Sequence, residues 1–162
     1  MKFVLFRHAQ KGITPFDDPE LSPQGHQQSS QLAGLLKNAT LPTPTLLFVS
    51  PKRRTSQTFY PTSKELSLSL QIKTELDQRD NEESSSQFRE RVQNFLNYIE
   101  TLPSQEIVFA CTHYDWIEEA MNMIECDKNL KSFEFLHWPP TQFVVFEIKE
   151  SVWNVLKKGS AK

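Results

Sequence analysis

The sequence predicts an α/β fold, a three-layer sandwich in which a mainly parallel central sheet carries helices on both faces and has a C-terminal antiparallel edge. Three short apolar runs, 2–6, 46–49 and 107–111, are typical of strands covered on both sides. Helical patterns separate these runs, and such an alternation of strands and helices favours parallel pairing. Residues 143–148 and 152–156 alternate apolar and polar side chains, which indicates a terminal hairpin.

The composition is consistent with one domain that covers residues 1–162. Hydrophobic residues make up 38% of the chain and charged residues 23%, which suits a single core. The formal net charge is −2, so no overall field attracts nucleic acid or an anionic membrane. No apolar run approaches the roughly 20 residues that cross a bilayer, and the first residues lack a secretory pattern. We expect a cytoplasmic protein that binds neither nucleic acid nor membranes.

Two helices are predicted in the first half of the chain. Ser22 followed by Pro23 is a favourable helix start, because a hydroxyl caps free N–H groups and proline fits the first turn. This helix is expected to end near Lys37. The second is expected to open at Thr55 and to be bent or interrupted near Pro61, because proline donates no backbone hydrogen bond.

The second half is assigned mainly from periodicity. A weaker strand is predicted over 71–76 and an exposed loop over 77–86. Residues 128–140 are expected to be irregular and the tail 157–162 to be frayed. A helix packed on the sheet is predicted from apolar residues at helical spacing, which are Phe88, Val92, Phe95, Leu96 and Ile99.

Charged or titratable residues follow three of the predicted strands. Arg7 and His8 end the first, the basic run 52–54 follows the second, and His113 follows the strand at 107–111. Because ligands in open α/β sheets bind outside the carboxyl ends of the strands, we expect these side chains to meet at one rim. Arginine suits phosphate oxygens, and histidine can attack phosphorus. The pattern therefore indicates a site for a phosphoryl group.

Other reaction classes have less support in the sequence. Neither Cys111 nor Cys126 is followed six residues later by the arginine that a thiol phosphatase needs, and the four glycines form no nucleotide-binding loop pattern. A metal site built from His8, His113 and Cys111 is an alternative, although no carboxylate motif joins these residues.

Four stretches resemble the motifs of one known family. Residues 5–9 (LFRHA) resemble an R-H-G signature in its R-H-A form, and residues 21–25 (LSPQG) resemble an L-[ST]-x-x-G helix entry. Residues 50–58 (SPKRRTSQT) look like S-x-x-x-R-A-x-Q-T, and residues 109–114 look like the strand that carries a second histidine. The chain thus resembles the histidine phosphatase superfamily, which includes the phosphoglycerate mutases, and within it the short phosphohistidine phosphatases of the SixA type.

This resemblance implies a phosphoglycerate mutase-like fold and a set of site residues. His8 would be the nucleophile that takes the phosphoryl group, and water would then hydrolyse the phosphohistidine. Arg7, Arg54 and His113 would surround the phosphoryl oxygens, and Tyr114 is included among the substrate-binding residues. The family chemistry implies no cofactor and no metal.

The resemblance is incomplete at the general acid. Mutase-like members carry glutamate in an L-x-E context, whereas this chain has Gln78 at that place. Asp77 and Asp115 are the main candidates for the acid, although Asp115 with Glu118 also forms a capping-box pattern for a helix. Two further candidates are Glu82 and Glu83.

The function that these features predict best is removal of phosphate from phosphohistidine in a protein, because a leaving imidazole needs less help from an acid than an alkoxide does. A phosphatase of small phosphate monoesters and a catalytically inactive phosphate-binding member are the alternatives. The partner would accordingly be a phosphorylated protein or a small phosphorylated substrate.

Overall fold

The computed structural model describes residues 1–161, in which six strands form one mixed sheet. In chain order, the elements are β1 (Lys2–Arg7), α1 (Pro23–Lys37), β2 (Leu46–Val49), α2 (Arg53–Leu66), β3 (Leu70–Ile72), a 3₁₀ turn (Thr74–Leu76), α3 (Ser85–Glu100), β4 (Ile107–Thr112), α4 (Tyr114–Met123), α5 (Phe133–Leu136), β5 (Gln142–Lys149) and β6 (Val152–Ser160).

The order of the strands across the sheet is β3-β2-β4-β1-β5-β6. The first four run parallel, and β5 and β6 form the antiparallel edge, as predicted. Arg7 of β1 lies opposite Thr112 of β4, and Val49 of β2 lies opposite Cys111 of β4. The carboxyl ends of these three neighbouring strands therefore lie side by side.

The two faces of the sheet are covered by different pairs of helices, because successive side chains of a strand point to opposite sides. Phe6 of β1 lies on the face that packs against Phe59 of α2, with the two rings edge to face at 5.2 Å. Leu5 lies on the other face, in the same core cluster as Trp116 of α4. Burial of such side chains contributes roughly 1.5–3 kcal/mol each.

Helix α2 differs from its prediction at both of the positions that were singled out. It begins at Arg53 rather than Thr55, and it continues through Pro61. Proline at 61 leaves the carbonyl of Gln57 without its helical donor. The hydroxyl of Ser29 on α1 lies 2.9 Å from the Gln57 oxygen and 2.7 Å from the carbonyl oxygen of Thr58, so its one proton is shared between the two. This contact between α1 and α2 partly replaces the bond that Pro61 removes.

Three further predictions of secondary structure also require correction. The strand predicted over 71–76 ends at Ile72, and the 3₁₀ turn Thr74–Leu76 follows it. The segment expected to be irregular contains α5. The tail is not frayed as far as Ser160, which pairs with Gln142 across the hairpin, whereas Lys162 lies outside the described residues.

The predicted capping signals are confirmed at one helix and wrong at another. Ser22 caps α1 by accepting the N–H of Gly25 at 3.0 Å. Helix α4, however, begins at Tyr114 and not after Asp115, so the expected capping box is not formed. Within residues 1–161, no helix is both long and apolar enough to span a membrane.

Candidate active site

His8 lies directly after β1, and each nitrogen of its ring has one partner. The ring Nδ1 is 2.7 Å from the carbonyl oxygen of Ala9. Because a carbonyl only accepts, Nδ1 carries the proton and Nε2 presents a lone pair. The side chain is buried, with the residue 5% exposed. Burial is the main cause that lowers the pKa of His8 to about 3, so the ring is neutral at neutral pH.

The turn that carries His8 is fastened to two neighbouring elements. The N–H of His8 donates to the carbonyl of Thr112 at the end of β4, at 3.0 Å. The N–H of Ala9 donates to Oγ1 of Thr58 at 2.9 Å, and that hydroxyl donates to the carbonyl of Arg54. The backbone beside His8 is thus connected to the first turns of α2.

Arg54 lies in the first turn of α2 and is 3% exposed. Its Nε is 3.3 Å from Nε2 of His8, and its Nη2 is 3.0 Å from Nδ1 of His113 and also donates to Oε1 of Gln78. Burial lowers the pKa of Arg54, and nearby carboxylates, that of Asp18 first, counteract the shift. One guanidinium therefore joins both histidines at a helix start, where the helix dipole disfavours a cation.

His113 follows β4 and completes the base of the site. Its Nδ1 accepts from Arg54, so the proton lies on Nε2, which is 2.8 Å from Oγ of Ser50. The rings of His8 and His113 have their centroids 5.3 Å apart. Burial and the charge of Arg54 lower the pKa of His113, so this ring is also neutral. We refer to His8, Arg54 and His113 as the site floor.

Arg7 brings a second guanidinium to the same end of the sheet. Its Nη1 donates to the carbonyl of Trp138, and its guanidinium carbon lies 5.2 Å from the centre of the Tyr114 ring. Its Nε is buried and has no hydrogen-bond partner in the described part of the chain. Buried donors are normally paired, so Arg7 carries one donor that the described part of the protein does not satisfy.

Tyr114 begins α4 and lies beside Arg7. Its interaction with Glu118 is the main cause that raises the pKa of the Tyr114 hydroxyl. The face of the Tyr114 ring packs against the Arg7 guanidinium. Its predicted role in binding substrate stays a prediction.

The structure separates the candidates for the general acid. Asp77 lies beside the site floor, with Oδ1 3.6 Å from Nε2 of His113 and Oδ2 3.9 Å from Nζ of Lys52. Burial raises the pKa of Asp77. Its neighbour Gln78 accepts from Arg54 and has no proton to give as an acid. We refer to Asp77 and Gln78 as the acid edge.

The remaining carboxylates are occupied elsewhere. Asp115 accepts the backbone N–H groups of Arg79 and Trp116, so it fastens the loop before α3 to the start of α4. Glu83 pairs with Arg91 at 2.7 Å. Glu82 is exposed. Among the described residues, Asp77 is the only one of the four candidates whose carboxylate lies within 4 Å of a ring nitrogen of the two histidines or of the Arg54 guanidinium.

Sequence reasoning missed three residues that touch the site. Ser50 bonds to His113, and its position within the S-x-x-x-R-A-x-Q-T pattern was the signal that could have indicated it. Gln78 was noted only as a missing glutamate, yet it contacts Arg54. Asp18 lies 3.7 Å from Arg54, and nothing in its turn-forming surroundings predicts that contact.

The metal-site alternative does not agree with the geometry. Among residues 1–161, no three His, Cys, Asp or Glu side chains are grouped so that they could hold a metal ion. Cys111 is fully buried, and burial raises the pKa of its thiol, which disfavours the thiolate that a metal would need. His8, His113 and Cys111 therefore do not form a ligand set.

Comparison with protein families identifies the class. Residues 3–82 and 76–160 match the model of the histidine phosphatase superfamily (branch 1). The chain belongs to this superfamily. The predicted family and enzyme class, a histidine phosphatase, are confirmed at this level. The sequence has no significant match among curated proteins.

Several solved structures share the fold at low identity. The protein histidine phosphatase SixA complexed with tungstate is 17% identical, with a TM-score of 0.79 over 99% of this chain and 97% of that chain. The putative phosphohistidine phosphatase SixA from Agrobacterium tumefaciens is 17% identical, with a TM-score of 0.74 over 99% and 98%. Phosphoserine phosphatase from Entamoeba histolytica is 13% identical, with a TM-score of 0.74 over 99% and 98%. These neighbours confirm the predicted phosphoglycerate mutase-like architecture.

Proposed function

We propose that this histidine phosphatase removes the phosphoryl group from phosphohistidine in a protein, through a phosphohistidine formed on its own His8. The observation that carries the proposal is the state of the His8 ring, in which Nδ1 is held by Ala9 and the lone pair of Nε2 lies beside Arg54. A neutral imidazole held in this way can attack phosphorus without losing a proton.

The floor and Arg7 supply charge stabilisation during the transfer. Negative charge lies on the three equatorial oxygens of the phosphoryl group, so fixed donors and cations around them lower the barrier without reorganising. Arg7 and Arg54 provide two guanidinium groups, and the unprotonated Nδ1 of His113 accepts from Nη2 of Arg54 at 3.0 Å, which orients that guanidinium. We assign substrate binding to these three residues and nucleophilic attack to His8.

The first step forms a bond between phosphorus and Nε2 of His8 and breaks the bond between phosphorus and the substrate nitrogen. A phosphohistidine whose other ring nitrogen carries a proton leaves as neutral imidazole, and the electron pair of the broken bond stays on its nitrogen. In the second step, a water oxygen bonds to phosphorus and gives up one proton to solvent. Neutral His8 leaves, and inorganic phosphate is released.

The acid edge favours a nitrogen leaving group. An alkoxide leaving group needs a proton in the transition state, which general acids typically supply for about 10²–10⁴-fold in rate. Gln78 has none to supply at the position where mutase-like members carry glutamate. A protonated phosphohistidine has no such need, so the amide at this position supports a phosphoramidate substrate over a phosphate monoester.

A small-monoester phosphatase is the second candidate, and Asp77 favours it. Its carboxyl is near His113, and burial raises its pKa, so a larger share of it holds a proton than an exposed aspartate would. Under this alternative, Asp77 would protonate the departing alkoxide.

The proposal is tested by phosphate release from two substrates that differ in the leaving atom. We expect the wild-type protein to dephosphorylate a histidine-phosphorylated protein much faster than phosphoserine, and His8→Ala to release no phosphate from either. The matched control is His26→Ala, at an exposed histidine, and this variant should behave as wild type. Preference for phosphoserine would support the monoester alternative. Phosphate binding without turnover in the wild type would support an inactive member.

A further inference from the structure

Three large apolar side chains are almost completely exposed, and all of them lie in two segments next to the site. Phe16 is 96% exposed, Phe133 is 90% exposed and Ile13 is 85% exposed. Leu136, one turn after Phe133, is 57% exposed. Full burial of such a side chain is worth roughly 1.5–3 kcal/mol. We call Ile13, Phe16, Phe133 and Leu136 the apolar rim.

The first half of the apolar rim is held against Arg54. Ile13 and Phe16 belong to the connection between β1 and α1, and Asp18 of the same connection lies 3.7 Å from Nη1 of Arg54. Asp18 also accepts the N–H of Arg53 at 3.3 Å. The connection is therefore fastened to the start of α2, and it carries its two apolar side chains beside the site.

This connection has an ordered base. Lys11 and Leu21 form an antiparallel bridge, and the N–H of Gly12 donates to the carbonyl of Glu20 at 2.7 Å. The N–H of Glu20 donates to Thr14 at 3.1 Å. Ile13 thus lies between the two bonds that close the base of the loop, and Phe16 lies beyond them.

The second half of the apolar rim is held against Arg7. Phe133 and Leu136 lie on α5, which leads to Trp138, and the carbonyl of Trp138 accepts from Arg7. Phe135 and Trp138 are buried and fix this segment to the core. One apolar pair therefore accompanies each arginine of the site.

We propose that the apolar rim is the docking surface for a protein that carries the phosphorylated histidine. This inference rests on the proposed function and adds the surface that selects a protein over a small molecule. Large exposed apolar side chains around a functional site are typical of protein interaction surfaces.

The charges around the rim favour a protein over an anionic membrane. Arg7 and Arg54 at the site complement one phosphoryl dianion, whereas Asp17 stands beside Phe16 and Glu134 beside Phe133. Lys11 and Lys131 lie two residues from Ile13 and Phe133, so the rim carries both signs of charge and lacks the excess of basic residues that binds anionic lipid headgroups. Asp17 and Glu134 complement basic side chains around a phosphorylated histidine. The occupant we expect is a folded protein face with apolar and basic residues around a single phosphohistidine.

The test compares a protein substrate with a small one. The rim variant is Phe16→Ser with Phe133→Ser, and the matched control is Ile72→Ser with Leu156→Ser, two exposed apolar residues on strands β3 and β6. Steady-state rates are measured on a phosphotransfer domain phosphorylated on histidine and on phosphoramidate. We expect the rim variant to raise KM for the protein substrate at least tenfold and to leave phosphoramidate hydrolysis unchanged. The control variant should match the wild type on both substrates.

Several results would overturn the docking surface. If the rim variant and the wild type had equal rates on the protein substrate, the docking surface would be refuted and the proposed function would remain. The same holds if the rim variant lost equal activity on the protein substrate and on phosphoramidate. Binding of the phosphotransfer domain to His8→Ala, with and without the rim substitutions, gives a second readout. Rim-dependent binding combined with no turnover by the wild type would contradict the proposed function alone. Rim-dependent pelleting with phosphatidylserine vesicles or rim-dependent dimerisation, without an effect on the protein substrate, would assign the rim to those occupants.

Discussion

The site floor and the acid edge lie a few ångströms apart but are held very differently. His8, Arg54 and His113 are each 5% exposed or less. Each of them follows a strand of the central sheet within a few residues. Asp77 and Gln78 follow the short 3₁₀ turn Thr74–Leu76, in a connection that is mostly exposed. The floor is part of the core, whereas the edge is part of a loop.

This difference separates two tasks of phosphoryl transfer. Stabilising charge on the phosphoryl oxygens requires donors that do not move, and the core holds the floor in that way. Supplying a proton depends on the leaving group, which differs between substrates. A loop can vary at this point without disturbing the floor. We therefore infer that the acid edge determines which leaving groups are accepted.

After the complete loss of turnover expected for His8→Ala, the largest effect is expected from removing the guanidinium of the site floor. Arg54→Ala should lower kcat/KM about 10²–10³-fold on every substrate, because it removes fixed donors to the phosphoryl oxygens. Arg53→Ala is a matched control, since Arg53 is adjacent in sequence but exposed and paired with Asp18 and Glu20. Rates of phosphate release measure both variants. A comparable loss in Arg53→Ala would mean that the motif arginine has been assigned to the wrong residue.

A smaller and substrate-dependent effect is expected at the acid edge. Asp77→Asn should slow hydrolysis of a phosphate monoester by about 10²-fold if Asp77 is the acid, and should change phosphoramidate hydrolysis little. The measurement is the ratio of kcat/KM for the two substrates. Equal slowing on both would indicate that Asp77 acts through His113 rather than on the leaving group.

The smallest effect concerns stability and pH. Because the pKa of folded His8 is about 3 and an unfolded histidine titrates near 6.5, the unfolded chain binds more protons between these values. Stability is therefore lost as pH falls from about 6.5 toward 3, and His8 accounts for about 2 kcal/mol of that loss at pH 5. Urea unfolding at pH 7 and pH 5 should show a smaller loss in His8→Asn than in wild type. His26→Asn is the control, and the same reduction in that variant would refute the assignment to His8.

Sequence alone predicts the floor well because each of its residues adjoins a buried strand. The apolar runs locate β1, β2 and β4, and parallel pairing of these strands then brings His8, Arg54 and His113 to the same end of the sheet. The resemblance to known motifs selects Arg54 over Arg53. Local sequence patterns are sufficient here because the buried strands of the core fix the positions of these three residues.

The acid edge and the apolar rim are harder to predict from the sequence, because contacts between residues distant in the chain determine their positions. Nothing local indicates that Asp18 reaches Arg54, or that Asp115 fastens a loop instead of capping a helix. Pro61 is predicted to disturb α2, but the hydroxyl of Ser29, from another helix, lies within hydrogen-bond distance of the freed carbonyl. Such compensation depends on two segments that are distant in sequence, so it cannot be predicted from the spacing of apolar residues within one helix.

The central claim is that Nε2 of His8 becomes phosphorylated during turnover. The direct measurement is to incubate the protein briefly with a labelled phosphohistidine protein, quench it in alkali, and locate the label by mass spectrometry of the peptides. The account predicts an acid-labile, alkali-stable label on His8 in the wild type and none in His8→Ala, which should also lack turnover. A label on another residue, or undiminished phosphate release by His8→Ala, would contradict it.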